Sequence, residues 1–352
     1  MKRALLLTAI DRYISAAKLC RNNRLPYHKT MFSSSVHKRV REFLAALCIS
    51  FLATSQAHAH TDAPRIVVSI KPLHSIVSQI TLGVTQPALL LEQEASAHHF
   101  QLRPSQQQKI SRAELFIYSG EQIESFVEKQ QQRGDTEFIR LASIETLQLL
   151  SSRDFHHHHH EQSHDDMAEP ATANTDHTID GHIWLSISNA IAISEYLQAL
   201  LSQRDPAHQA QYQANASRFI QRLDQLRSGN QQKLAAFSQR PFLVYHDAYQ
   251  YFEMENNLQG AHFITSSPDI NPGIRRVQYL KQLIRTEGIR CVFYEPPNIP
   301  PLVATISENQ PVQLVALDPI GAQIEAGADH YTQLMQQTAE QMHRCLSTTN
   351  DK

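Results

Sequence analysis

The sequence predicts an α/β protein of two βα lobes with parallel sheets, joined by a long rigid linking helix, with a cleft between the lobes. Three observations carry this. Short β-branched or apolar runs alternate with helical stretches in both halves of the chain, the pattern of βα units whose parallel sheet is covered on both faces. One long stretch between the halves repeats its apolar residues at helical spacing. Several histidines stand where a strand or a loop ends, and such positions converge on a cleft in folds of this class.

In the first half, residues 65–70 read as a short buried strand, and Lys71-Pro72-Leu73 opens a helix that runs through Gln79 and Ile80. Residues 87–91 and 115–118 supply the next strands. Gly120 ends the third before a helical stretch over 121–132, and 138–141 make a fourth. Beyond a polar middle section, 186–201 is helical, and Asp205-Pro206 then offers an N-cap and a first-turn proline. Tyr212, Ala216, Phe219, Leu223 and Leu226 fall four, three, four and three apart, one apolar stripe of a long helix that Gly229 weakens. Such a helix serves as a strut; the rival reading makes it a surface helix of one lobe. In the second half 242–245, 263–265, 290–294 and 312–317 read as strands, and 275–287 and 329–346 as helices. The expected divisions are a leader over 1–59, an N-terminal lobe over 60–204, the linking helix over 205–236 and a C-terminal lobe over 237–352.

The leader has its own logic. From Met31 a basic stretch (His37, Lys38, Arg39, Arg41) precedes an apolar run over 43–53 and then Ala57-His58-Ala59, the order of a secretory signal and its cleavage site. The mature chain then starts at His60, and residues 1–30 are either an unusually long leader or an upstream extension. Leu47 stands before Cys48 where a lipid-anchored protein wants a small residue, so export without an anchor is expected. Residues 1–59 hold ten of the 32 basic and two of the 34 acidic side chains, which leaves 22 against 32 and a net charge of −10. That balance argues against nucleic acid and suits a protein that gathers cations. Cys20 and Cys48 leave with the leader; Cys291 and Cys345 remain in an oxidising compartment, where a bridge is expected over two buried thiols.

Chemistry concentrates in the polar middle. His156, His157, His158, His159 and His160 run together, followed by His164, His177 and His182 among Glu161, Asp165, Asp166, Glu169, Asp176 and Asp180. Histidine at this density means metal, with carboxylates adding charge that holds cations nearby. The run is internal and mixed with acids, unlike an affinity tag. His160-Glu161-Gln162-Ser163-His164 matches H-E-x-x-H, but no apolar stripe makes a helix of it, so the match is a by-product of the run. His182 differs, because Asp180-Gly181-His182-Ile183-Trp184-Leu185-Ser186 turns abruptly apolar and packed structure begins there. His98, His182 and His246 each follow a strand or a loop, which places two from the first lobe and one from the second at the cleft.

The motifs around these residues are Ala95-Ser96-Ala97-His98-His99-Phe100-Gln101-Leu102-Arg103-Pro104-Ser105, His182-Ile183-Trp184-Leu185-Ser186 and Tyr245-His246-Asp247-Ala248-Tyr249-Gln250-Tyr251-Phe252. They resemble the ligand motifs of the metal-binding proteins of zinc and manganese ABC importers, above all the periplasmic zinc-uptake type. Ser69-Ile70-Lys71-Pro72-Leu73-His74-Ser75 and Leu317-Asp318-Pro319-Ile320-Gly321 extend the resemblance over nearly the whole mature chain. It implies a metal site in the cleft with His98, His182 and His246 as ligands, and His74 and His99 outside the ligand set. Ala97 stands where some zinc members place a glutamate, so the fourth ligand stays open between water and Asp318. Cys291 and Cys345 match the disulfide of zinc-type members.

Ligand softness then favours zinc, since the manganese relatives replace the third histidine with glutamate and His246 keeps nitrogen. The resemblance implies a monomer that captures zinc in the periplasm, closes little and hands the ion to the membrane permease of an importer. It would do no catalysis. The histidine loop (His156, His157, His158, His159, His160, His164, His177) would be a weak auxiliary collector, a sensor or a dock for a zinc chaperone. A manganese or other divalent-metal binder of the same family is the near alternative, and a surface adhesin of that family is disfavoured by the absent lipid-anchor motif. A zinc hydrolase is the alternative of another class, because three histidines with an open position also activate water.

Overall fold

Eight short strands divide into two four-stranded sheets with the same internal order, in a computed structural model that describes residues 63–92, 100–132, 134–153, 179–267 and 272–348. The first sheet holds β1 (Ile66–Val68), β2 (Ala88–Leu89), β3 (Leu115–Tyr118) and β4 (Glu137–Arg140) in the order β2-β1-β3-β4. The second holds β5 (Phe242–His246), β6 (Ala261–Thr265), β7 (Cys291–Tyr294) and β8 (Gln313–Ala316) in the order β6-β5-β7-β8. All pairings are parallel, with Ile66 opposite Leu115 and Phe242 opposite Cys291. Strands covered on both faces need side chains that are apolar on both sides, and all four residues of β3 are buried. In each sheet the chain steps to one side and then crosses to the other. The reversal falls between β1 and β3, and between β5 and β7; in open α/β sheets ligands gather outside the carboxyl ends at that point.

Among the described residues the helices are α1 (Lys71–Ile80), α2 (Pro104–Ser111), α3 (Val127–Gln130), α4 (Ile187–Arg204), α5 (Gln209–Leu234), α6 (Gln250–Glu255), α7 (Ile274–Thr286), α8 (Pro301–Ser307) and α9 (His330–Ser347). The 26 residues of α5 span about 39 Å at the usual rise of an α-helix. Tyr212, Ala216, Phe219 and Leu223 are buried and Leu226 is half-buried, the apolar stripe expected of the strut. It packs on α1 and α4 from the first half and on α9 from the second. One hydrophobic cluster accordingly runs from Ile66 to Leu346, and a smaller one, with Leu243, Val292 and Val303, lies under α7 and α8. The disulfide between Cys291 and Cys345 ties β7 to α9 with 5.9 Å between Cα atoms.

Two local expectations differ from the structure, at Asp205 and over 121–132, while the expected span of the linking helix past Gly229 holds. Asp205 does not cap α5: its Oδ2 accepts from His208 Nδ1 (2.7 Å) and Tyr212 OH (2.9 Å), and a single tight turn, Pro206–His208, comes before the helix. The helix passes through Gly229 to Leu234, because Leu234 is buried beyond it and Asn230 donates to the Met335 carbonyl (3.3 Å), so tertiary contacts override the local cost of glycine. The stretch 121–132 contains only the short α3. Glu124, which would lie in its first turns, turns back instead and accepts from the Ser119 and Gly120 amides at 3.2 and 3.1 Å. The leader over 1–59 lies outside the described residues.

Candidate metal centre

His182 reaches its place through a chain of local constraints. Asp180 N donates to Leu150 O (2.8 Å) beside a bridge between Ser151 and Ile179, which pins the end of the polar middle section to packed backbone. The next residue must be glycine: a Cβ on Gly181 would stand 2.6 Å from Ile123 Cγ1. Asp180 Oδ1 then accepts from both the backbone amide (3.0 Å) and the Nδ1–H (2.7 Å) of His182, which fixes the ring. Trp184, buried in the following turn, packs its ring edge-on to that imidazole (centroids 5.3 Å apart) and donates from Nε1 to Pro319 O at 2.9 Å.

His246 is the last residue of β5, and Glu295 directly follows β7, the neighbouring strand. Both therefore stand at the reversal point of the second sheet, where the Nδ1–H of His246 donates to Glu295 Oε1. The His246 ring is 2% exposed. Burial alone would lower its pKa, but the carboxylate of Glu295, helped by Asp247 and Asp180, raises it above the ordinary imidazole value. Burial likewise works to raise the Asp180 pKa, and the adjacent His182 imidazole outweighs it and holds that carboxyl below its usual range. Asp247 is engaged elsewhere, with Glu253, by the guanidinium of Arg153.

These two constructions aim the rings at each other. His182 Nε2 and His246 Nε2 are 3.2 Å apart. With each Nδ1 facing a carboxylate, the proton of a neutral ring sits on Nδ1 and the lone pair on Nε2. Two lone pairs at that distance repel each other unless a cation, a proton or a metal, neutralises them. Two nitrogens on tetrahedral zinc at 2.0–2.1 Å stand about 3.3 Å apart, so the pair has the spacing of two zinc ligands.

The structure thus brings together His182 and His246 of the expected ligands. His98 lies outside the described residues, as do His99, His156, His157, His158, His159, His160, His164 and His177; among the described residues no group of three or more potential ligands converges. Asp318 directs Oδ1 to the amides of Ile320 (2.9 Å) and Gly321 (3.0 Å) and Oδ2 to that of Ala322 (2.6 Å). His74 sets Nε2 against Pro87 O at 3.0 Å. Of the partners of the two rings, Asp180 was named in the sequence reading only among the acids of the polar section and Glu295 not at all. The signal for Glu295 was present, since it follows the strand that neighbours β5.

A two-sheet α/β fold that pairs carboxylate-held imidazoles beside a strand reversal defines a solute-binding protein for metal ions. The chain belongs to the ZnuA family, zinc-uptake complex component A, periplasmic, whose model matches residues 66–345. A high-affinity zinc uptake system protein ZnuA of Brucella suis is 34% identical over 331 residues, covering 87% of this chain and 96% of its own. The fold is shared with the Zn(II)-bound ZnuA-like domain of AdcA from Streptococcus pneumoniae (TM-score 0.61, 20% identity, 80% of this chain and 98% of that one). It is shared too with the solute-binding protein FpvC of P. aeruginosa in complex with Ni2+ (TM-score 0.67, 19% identity, 82% and 98%). The family is one of solute-binding proteins and not of enzymes. Among the described residues no helix is long and apolar enough to cross a membrane.

Proposed function

We propose that this chain captures zinc with His182, His246 and His98 and delivers it, unchanged, to the permease of an ABC importer. The observation that carries the reading is the pair of Nε2 atoms at 3.2 Å, each ring backed by a carboxylate. Zinc uptake is also what the relatives' names describe. Asp318 already holds the loop after it with both oxygens, which supports solvent in the fourth position. Nitrogen ligands favour zinc over manganese. Residues 156–177 would add weak sites, and the signal over 31–59 would deliver a monomer to the periplasm without an anchor.

Competition with a fluorescent zinc chelator tests the ligands. The wild type should hold one ion tightly, and His182→Ala, His246→Ala and His98→Ala should each weaken that site by orders of magnitude. Deleting 156–177 should leave it intact. Undiminished binding by the His246 variant would sink the assignment. Zinc-limited growth of a strain lacking its own capture protein, restored by this chain, tests delivery. Turnover of ester or peptide substrates by the zinc-loaded protein would favour a hydrolase instead.

A further inference from the structure

The carboxylate of Glu255, the last residue of α6, lies against the first turn of α4. Oε1 accepts from Ser188 N (2.7 Å) and Ser186 Oγ (3.0 Å), and Oε2 accepts from Ile187 N (2.8 Å). First-turn amides have no acceptor inside their own helix, and a negative charge there meets the positive end of the helix dipole. A local cap exists already, because Ser186 Oγ accepts from Asn189 N. Glu255 therefore adds a second, long-range cap from a segment 67 residues away from Ser188.

The two segments it joins carry the two histidines. Helix α6 starts four residues after His246, and α4 starts five residues after His182. Other α6 side chains reach the residues just before His182. Tyr251 OH donates to Asp180 O (2.7 Å) and accepts from Leu150 N (3.1 Å), while Gln250 Nε2 donates to Asp180 Oδ2 (3.2 Å). One short helix, tethered to His246 by three intervening residues, thus grips the chain on both sides of His182.

We infer that Glu255 is a positioning residue of the zinc site: through α6 it sets His182 against His246, so that the pair already has its metal-binding spacing. This rests on the reading that both imidazoles bind zinc. A pair held near the required separation leaves less ordering for the ion to impose; direct hydrogen-bond partners of metal-bound imidazoles change metal affinity by about 10-fold to 100-fold, and Glu255, which acts through α6 and touches neither ring, belongs at the lower end of that range.

The test compares Glu255→Gln with wild type as purified proteins, each held well below its unfolding transition with circular dichroism verifying the fold. The amide keeps the size of the side chain but loses its charge and turns a donor toward two backbone amides and a hydroxyl. Zinc affinity should fall about 10-fold, the lower end of the range for direct partners, and the visible absorption of the cobalt-substituted site should shift. Val303→Ala, buried in the smaller core cluster, controls for stability alone and should leave both readouts in place. Wild-type affinity and an unchanged cobalt spectrum in the Gln variant would overturn the inference, as would an equal loss in the Val303 variant. If Glu255→Gln does not fold, Tyr251→Phe decides: weakened zinc binding supports the grip of α6, and unchanged binding refutes it. Failure of the underlying reading looks different, since the wild type itself would then bind no zinc or be indifferent to His246→Ala.

Discussion

Glu295, the first residue after β7, accepts the Nδ1–H of His246, the last residue of β5, so that neighbouring parallel strands orient one ring between them. The carboxylate sets the tautomer that leaves the Nε2 lone pair facing His182, and its charge raises the basicity of the ring. Glu295→Gln should therefore weaken zinc binding by about 10-fold to 100-fold. A chelator competition assay reads it directly. The loss should be smaller than that of His246→Ala, because the imidazole stays.

The bridge between Cys291 and Cys345 closes a separation of 54 residues within the second half. In the chain-entropy account, cross-linking a loop of that length stabilises by about 4 kcal/mol. Cys291→Ser with Cys345→Ser should lower the denaturant midpoint accordingly while the zinc affinity of the folded protein stays near wild type, since neither sulfur touches the site. A variant whose affinity collapses in step with its stability would place the disulfide in the site's support.

How much of this was legible follows from what each residue's neighbours contribute. Strands such as β3 and β7 were readable because residues buried on both faces must be apolar in sequence order, and the α5 stripe was readable because helical spacing repeats. His182 and His246 were marked by position, at the end of a polar stretch and at the end of a strand. The roles of Asp180 and Glu295 as ring partners were not, because a carboxylate two residues before a histidine and another 49 residues after its partner take on that role only once the rings meet. The start of α5 was misread for a similar reason, since Asp205 found a phenol and an imidazole, whereas the helix does run past Gly229 as the expected span to 236 requires, carried by packing.

Phe219 is fully buried in the middle of α5, in the cluster that spans both halves of the chain. Removing a buried aromatic side chain costs about 3–5 kcal/mol. Because the strut faces helices of both halves, Phe219→Ala should lower the stability of the whole protein in one cooperative transition. Urea unfolding followed by Trp184 fluorescence and by far-UV circular dichroism should give coincident curves. Two separated transitions would mean that α5 belongs to one lobe only.

Burial of Glu124 sets the sign of a pH dependence. Glu124 is fully buried, accepting from Ser69 Oγ (2.5 Å) and the amides of Ser119 and Gly120, and burial outweighs these donors to raise its pKa from 4.5 to about 7. A carboxyl whose folded pKa is raised contributes stability that is fully present below about pH 4.5, in both states protonated, and is lost as pH rises through about 7. The full difference corresponds to about 3 kcal/mol. Glu124→Gln removes the titrating group, so its stability relative to wild type should be more favourable at pH 8 than at pH 5, by up to that amount. Urea midpoints of both proteins at the two pH values measure this double difference. A difference of zero would show that the three hydrogen bonds keep Glu124 ionised at ordinary carboxylate pH, and a difference of opposite sign would show that they overcome burial.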